Sequence, residues 1–147
     1  MTQSEVISPA GRNDLYERHG YSAAIKSGDL LFVSGQVGSL PDGKPEPDFT
    51  RQVELAFENL QATLSAAGCT LSDLVDVTSF HTDPEKQFET VLAIKQKMFP
   101  SAPYPNWTAV GVTCCLALIS KSRSLLVYQQ KTELFVPEKA YKRCFTL

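Results

Sequence analysis

Hydrophobic positions along this chain change their spacing several times, and each change marks an element. Two β-prone runs, Tyr21-Ser22-Ala23-Ala24-Ile25-Lys26 and Leu30-Leu31-Phe32-Val33-Ser34-Gly35-Gln36, flank Ser27-Gly28-Asp29. A short glycine-containing turn between such runs predicts a hairpin. The period then lengthens: Val53, Phe57, Leu60 and Leu64 recur at helical spacing, with Ala56 and Ala67 on the same face. Arg51, Glu54, Glu58 and Gln61 fall elsewhere. Asp48 stands where an N-cap belongs and Gly68 where a helix stops, so a helix is predicted over 49–67. Leu74, Val75, Val77 and Phe80 mark a third strand that runs to Thr82. Asp83-Pro84 opens a second helix, with Asp83 as N-cap and Pro84 in the first turn. Phe88, Val91, Leu92, Lys95 and Phe99 describe one face of it, Pro100, Pro103 and Pro105 prevent its continuation, and Asn106–Val112 reads as a fourth strand.

The order ββαβαβ defines an α+β domain with both helices on one face of a sheet. Such a sheet leaves its other face in need of a cover, and in a chain this short another subunit is the simplest one. Residues 1–19 are polar and read as an arm, with Leu15 and Tyr16 as candidate anchors. Leu40–Pro47 holds three prolines and a glycine within it or at its ends and is a loop.

Composition adds constraints. At 147 residues the chain suits one domain, and 43% hydrophobic with 20% charged residues is ordinary for a soluble globule. The formal charge of -2 gives no electrostatic footprint for nucleic acid, which is disfavoured as a partner. No apolar run is long enough to cross a bilayer, and Met1–Pro9 lacks the blocks of a signal peptide, so a cytoplasmic location is expected. Cys69, Cys114, Cys115 and Cys144 show no CxxC spacing and read as reduced structural thiols rather than metal ligands.

Gly20-Tyr21-Ser22-Ala23-Ala24-Ile25, then Gly28-Asp29-Leu30-Leu31-Phe32-Val33-Ser34-Gly35-Gln36, Asn59-Leu60, Ala66-Ala67-Gly68, Asp73-Leu74-Val75, Phe80 and Asp83 occur in an order that resembles the Rid family of reactive intermediate deaminases, formerly YjgF. The resemblance covers roughly residues 20–113. Pro45-Glu46-Pro47-Asp48-Phe49 and Pro103-Tyr104-Pro105-Asn106-Trp107-Thr108 bring it nearest the YjgH branch. It implies a chorismate-mutase-like homotrimer: mixed sheets around a central barrel, helices outside and three clefts between neighbours. It also implies small-metabolite ligands, hydrolysis of 2-imino and enamino acids in well-studied members, and no metal or organic cofactor. An older label for parts of the family is endoribonuclease.

The same resemblance picks out a ligand set. The family's deaminases clamp the substrate carboxylate with an arginine in a Pro-x-Arg motif, through two parallel hydrogen bonds. Here that motif reads Pro105-Asn106-Trp107-Thr108, and tryptophan offers one N–H and no charge. This puts a carboxylate-clamping mechanism in doubt and makes Trp107 a stacking surface for an aromatic or amphipathic metabolite. Tyr21, Ser34, Gly35, Gln36 and Ala109 complete the expected ligand residues; the plainer readings are an interface tyrosine and a strand-end bulge at Ser34-Gly35-Gln36. No catalytic residue is assigned. His81 is tempting as a general base because its ordinary pKa is near neutrality, but a lone strand histidine is more often structural. Asp83 is better explained as a cap, and Asp76 and Glu85 as solvated charges.

After Thr113 the resemblance stops where the family continues with an alternating strand. A back-translation of Leu116–Gln130 can be written whose shifted frame encodes such a strand, which points to a change of reading frame. Within the actual tail, Leu125-Leu126-Val127-Tyr128 is the candidate substitute strand and Leu134-Phe135-Val136 a second. The chain thus divides into an arm (1–19), a domain (20–130) and a tail (131–147). Three functions follow for test: a metabolite-binding protein without deaminase chemistry, a hydrolase of a different imine-like substrate using Tyr21 and Ser34, and an endoribonuclease.

Overall fold

The computed structural model describes residues 4–11, 13–40, 42–113 and 125–133. Nine α-helical and strand elements are found among them: β1 (Glu5–Ile7), α1 (Asn13–His19), β2 (Ala24–Ser27), β3 (Leu30–Val37), α2 (Phe49–Ala66), β4 (Leu74–His81), α3 (Pro84–Met98), β5 (Asn106–Gly111) and β6 (Leu125–Glu133). They build one mixed sheet in the order β1-β2-β3-β6-β4-β5. Only β4 and β5 pair in parallel; the other neighbours are antiparallel. The α+β class and mixed sheet follow the sequence reading.

The hairpin of β2 and β3 closes between Ser27 and Leu30 through Gly28-Asp29. Gly28 has φ of 61° and no non-glycine residue among those described is positive, so the positive dihedral falls on the first loop residue alone. Glycine there lets the turn follow the twist of the strands. β2 begins at Ala24, later than expected, because Gly20 and Tyr21 close the end of α1. Gly20 N–H donates to Glu17 O at 3.2 Å and Tyr21 N–H to Tyr16 O at 3.2 Å.

Residues 1–19, read as an arm, contain β1 and α1. β1 extends the sheet beyond β2, with Val6 opposite Ile25. Tyr16 is buried as an anchor should be, whereas the side chain of Leu15 lies outside the described residues.

α2 forms where the periodicity placed it. The Asp48 carboxylate accepts from Arg51 N–H at 2.8 Å, capping the first turn. At the other end Cys69 N–H donates to Leu64 O and Gly68 N–H to Ser65 O, a paired closure that requires the left-handed φ of 75° at Gly68. Val53, Phe57, Leu60 and Leu64 are fully buried against Leu31, Val33 and Val77 of the sheet. Burying a side chain of this size stabilises by about 1.5–3 kcal/mol. Three polar residues share that buried face, each with a partner. Gln52 Nε2 donates to Glu46 O, Asn59 Nδ2 to Val37 O and Thr63 Oγ1 to Asn59 O.

α3 buries a different face from the one expected. Gln87, Val91 and Ile94 are inside, while Phe88 and Leu92 are 49% and 39% exposed. Gln87 fixes this rotation: Nε2 donates to Thr82 Oγ1 at 3.3 Å, and Oε1 accepts from Asp83 N–H at 3.2 Å. Asp83 holds the N-cap position, yet its carboxylate caps no backbone amide and accepts from Lys86 Nζ at 2.8 Å.

The tail supplies the strand the sheet lacked. β6 includes Leu125–Tyr128 and runs on to Glu133, between β3 and β4. The second candidate, Leu134–Val136, lies outside the described residues. Register shifts interrupt β6 against both neighbours. The shift between Leu74 and Asp76 changes the phase of β4, so that Leu74 and Val77 both reach the core.

Gly38 lies under α2 so closely that a Cβ there would collide with the backbone carbonyl of Gln52. A Cβ on Gly68 would meet nothing within 4 Å and would feel only its dihedral. Gly38→Ala is therefore expected to destabilise by about 2–3 kcal/mol and Gly68→Ala by about 1 kcal/mol. Urea unfolding at unchanged slope measures both; equal losses would contradict the close approach.

Candidate functional site

The expected ligand residues separate into two groups. Tyr21, Ser34, Gly35 and Gln36 lie at or before β2 and on β3, whereas Trp107 and Ala109 lie on β5, an edge strand. Four strand spacings separate β2 from β5, roughly 19 Å at the usual interstrand distance.

At the first group, an open cavity of about 330 Å³ is lined by Val6, Ser8, Tyr16, Glu17, Tyr21 and Ser22 among others. Tyr16 and Tyr21 meet edge to face, centroids 5.2 Å apart and planes at 85°. Tyr16 is buried and Tyr21 is 44% exposed, so one ring braces the other at the cavity wall. Ser34 Oγ donates to Ser22 O at 2.6 Å, tying β3 to the approach of β2. Gln36 is buried, and its Nε2 folds back to Ser34 O at 2.8 Å. Those two polar groups hold the strand, and the register is shifted between Val33 and Gln36, around Gly35. Of this group only Tyr21 lines the cavity.

At the second group the indole of Trp107 turns toward the helices. Its centroid lies 6.3 Å from that of Phe57 and 6.2 Å from that of Phe99. Lys95 Nζ lies 4.4 Å from the ring centroid, a cation–π contact. Trp107 Nε1–H donates to Ser79 Oγ at 2.9 Å. The stacking surface expected for a metabolite is thus occupied within the chain, because the core beneath β5 presents Phe57 and Phe99 to it. Ala109 follows on the same edge strand and is exposed.

Ser79 also meets His81 Nε2 at 2.8 Å. Sequence reading saw no serine paired with His81; the signal was their spacing, since residues i and i+2 of a strand share a face. The pair has the form of a nucleophile and its base. It is nevertheless closed, for Ser79 is 0% and His81 1% exposed. A hydroxyl that accepts from Trp107 and donates to His81 satisfies the chain Trp107–Ser79–His81, with neutral imidazole as the acceptor. His81 Nδ1 is left buried without a hydrogen-bond partner. This is a structural relay that fixes the indole rather than a site a substrate reaches.

Cys69 is buried and reduced; burial pushes its thiol pKa up, with Asp73 adding to the effect. Cys114, Cys115 and Cys144 lie outside the described residues. Among the described residues no three His, Cys, Asp or Glu side chains gather as metal ligands, and no helix is long and apolar enough to cross a membrane.

The α+β content and the mixed sheet fit the class named from the motifs. The sequence model of Endoribonuclease L-PSP matches residues 11–117, and the chain belongs to that family, which includes the Rid and YjgF proteins. RutC family protein YjgH of Escherichia coli (strain K12) is 66% identical over 113 residues, covering 77% of this chain and 86% of that protein. A solved structure of protein YjgH superposes with a TM-score of 0.75 at 58% identity, over 86% of this chain and 95% of that one. TdcF of E. coli, named as a reactive intermediate deaminase, is 32% identical over 95 residues, covering 63% of this chain and 73% of TdcF. Its structure with bound serine gives a TM-score of 0.68 at 27% identity, over 78% and 88% of the two chains.

Burial lowers the His81 pKa from its ordinary 6.5. The folded chain keeps His81 neutral at pH values where the unfolded chain takes up a proton. Its contribution to stability is whole above pH 6.5 and is lost as pH falls below that value toward the folded pKa. The slope is at most about 1.4 kcal/mol per pH unit. His81→Phe should flatten the stability profile between about pH 7 and 5.5, a window above the carboxylate titrations. Urea unfolding across that window tests it; an unchanged slope in the variant assigns the dependence elsewhere.

Proposed function

We propose that this chain forms a homotrimer and binds a small metabolite in clefts between its subunits, without the carboxylate-clamping 2-imino acid deamination of its family. The separation of the two ligand groups carries the reading. Tyr21 at one side of the sheet and the β5 edge at the other, where Ala109 is exposed while Trp107 packs inward, are too far apart to share a pocket within one chain, and a second copy would bring the two together. A bare apolar row supports assembly: Val6 pairs with Ile25 and Ile25 with Phe32, on the face away from the core. These three are 63%, 38% and 45% exposed in the single chain.

The loss of deamination rests on position 107. A guanidinium there would bring a bidentate cation; the indole brings one N–H, already given to Ser79. Serine bound in TdcF supports a small polar metabolite as the ligand class for this scaffold. Ribonuclease chemistry gains little from His81, which lies closed against Ser79.

Light scattering on the eluting protein should give a trimer mass, and Phe32→Glu should reduce it to a monomer with its helical content intact. A monomeric wild type removes the intersubunit cleft. In a coupled assay on imines derived from amino acids, turnover is expected to equal that of buffer. Turnover well above buffer would instead establish the hydrolase reading.

A further inference from the structure

We infer that Trp107, Ser79 and His81 form a proton-sensitive switch within one chain: a proton taken up by His81 reverses the Ser79 hydroxyl and weakens its hold on the indole of edge strand β5. The switch requires neither a ligand nor a second copy. Hydrogen-bonding capacity fixes its resting direction. The indole Nε1–H can only donate, and it donates to Ser79 Oγ at 2.9 Å. Ser79 Oγ lies 2.8 Å from His81 Nε2, and both residues are buried. A bare Nε2 accepts the hydroxyl hydrogen and leaves one unmatched atom, the Nδ1 that has no partner. A hydrogen on Nε2 would leave the hydroxyl hydrogen unmatched as well. The neutral ring therefore carries its hydrogen on Nδ1. An added proton then has one place to go, Nε2, which becomes a donor. The hydroxyl turns away, and Ser79 Oγ accepts from imidazolium and indole at once. The charged donor is the stronger of the two, so the indole bond lengthens.

The surroundings hold the switch in its neutral position. Burial is what lowers the His81 pKa from 6.5, with no charged neighbour contributing. β4 carries Asp76 nearer its other end, and β5 has no titratable residue from Asn106 to Gly111. β6 places Lys131 and Glu133 opposite Asp76 and Leu30, at the far end of the sheet from His81. On α2, Arg51 is engaged by Glu54 and Glu58. On α3, Asp83 accepts from Lys86, Glu85 and Glu89 are exposed, and Lys95 stands over the indole at 4.4 Å. The first turn of α3 reaches this end of the sheet: a Cβ on Gly111, the residue paired with His81, would lie 3.4 Å from Pro84. The positive end of a helix disfavours an imidazolium. The exit of β5 is tied to the same residue, since Val112 N–H donates to His81 O at 2.8 Å.

Nitrogen and proton NMR of the isotopically labelled full chain reads each part separately. Trp107 is the only tryptophan, and the exposed His19 is the only other histidine. At neutral pH the His81 ring should carry its hydrogen on Nδ1. As pH falls below 6.5, the indole Nε1–H signal should move upfield with the same midpoint as the His81 ring nitrogens, while the rest of the spectrum stays folded. Ser79→Ala should abolish the indole response with His81 still titrating, and His81→Phe should abolish it too. The tautomer of the unmodified chain and the Ser79→Ala titration decide the matter even where His81→Phe does not fold. A hydrogen on Nε2 at neutral pH would overturn the direction of the relay. An indole signal that ignores the His81 titration, or follows it undiminished in Ser79→Ala, would overturn the coupling through the hydroxyl. Loss of all folded signals before His81 takes up its proton would overturn the switch itself.

Discussion

Among the described residues, the structure depends on a sheet that is covered on one side only. α2 and α3 bury Leu31, Val33 and Val77 from above, and this single layer of contact holds most of the apolar core. Everything polar within that layer has to be accounted for, and nearly everything is. Gln52, Asn59, Thr63 and Gln87 each find a backbone or side-chain partner. The exception among the described residues is His81 Nδ1, and burial of the imidazole lowers its pKa and favours the neutral ring.

That constraint reaches position 107. With His81 neutral, Ser79 can donate to it and still accept from the indole, so the ring is pinned between Phe57, Phe99 and Lys95. A change from guanidinium to indole at this strand therefore does more than delete a charge. It converts a position implied to face a ligand into one that completes the core beneath an edge strand. The cation nearest to it, Lys95, comes from α3 and is held by the ring itself.

How far the sequence revealed this depended on whether the deciding contact was local. α2 was legible because its caps and its apolar face are encoded within some twenty consecutive residues; Asp48 and Gly68 both act as their types suggest. The rotation of α3 was not, since Gln87 outweighs Phe88 only through bonds to Thr82 and Asp83 that periodicity does not weigh. β1 is too short, at three residues, to stand out without its partner strand. Tyr21 lines a cavity, whereas Ser34 and Gln36 turn inward because Ser22 and the strand backbone offer them bonds. The pairing of Ser79 with His81 was readable in principle from their alternation, and the burial that closes it was not.

The position of β6 has a consequence for the newborn chain. Leu30 pairs with Glu133 and Leu74 with Thr132, so among the described strands the last to leave the ribosome is the one that fills the middle of the sheet. Until it arrives, β3 and β4 each present a row of unsatisfied amides and carbonyls to solvent or to a chaperone. Vectorial synthesis thus delivers two half-built ribbons and withholds the splice between them, and the sheet can be joined only once β6 has been made.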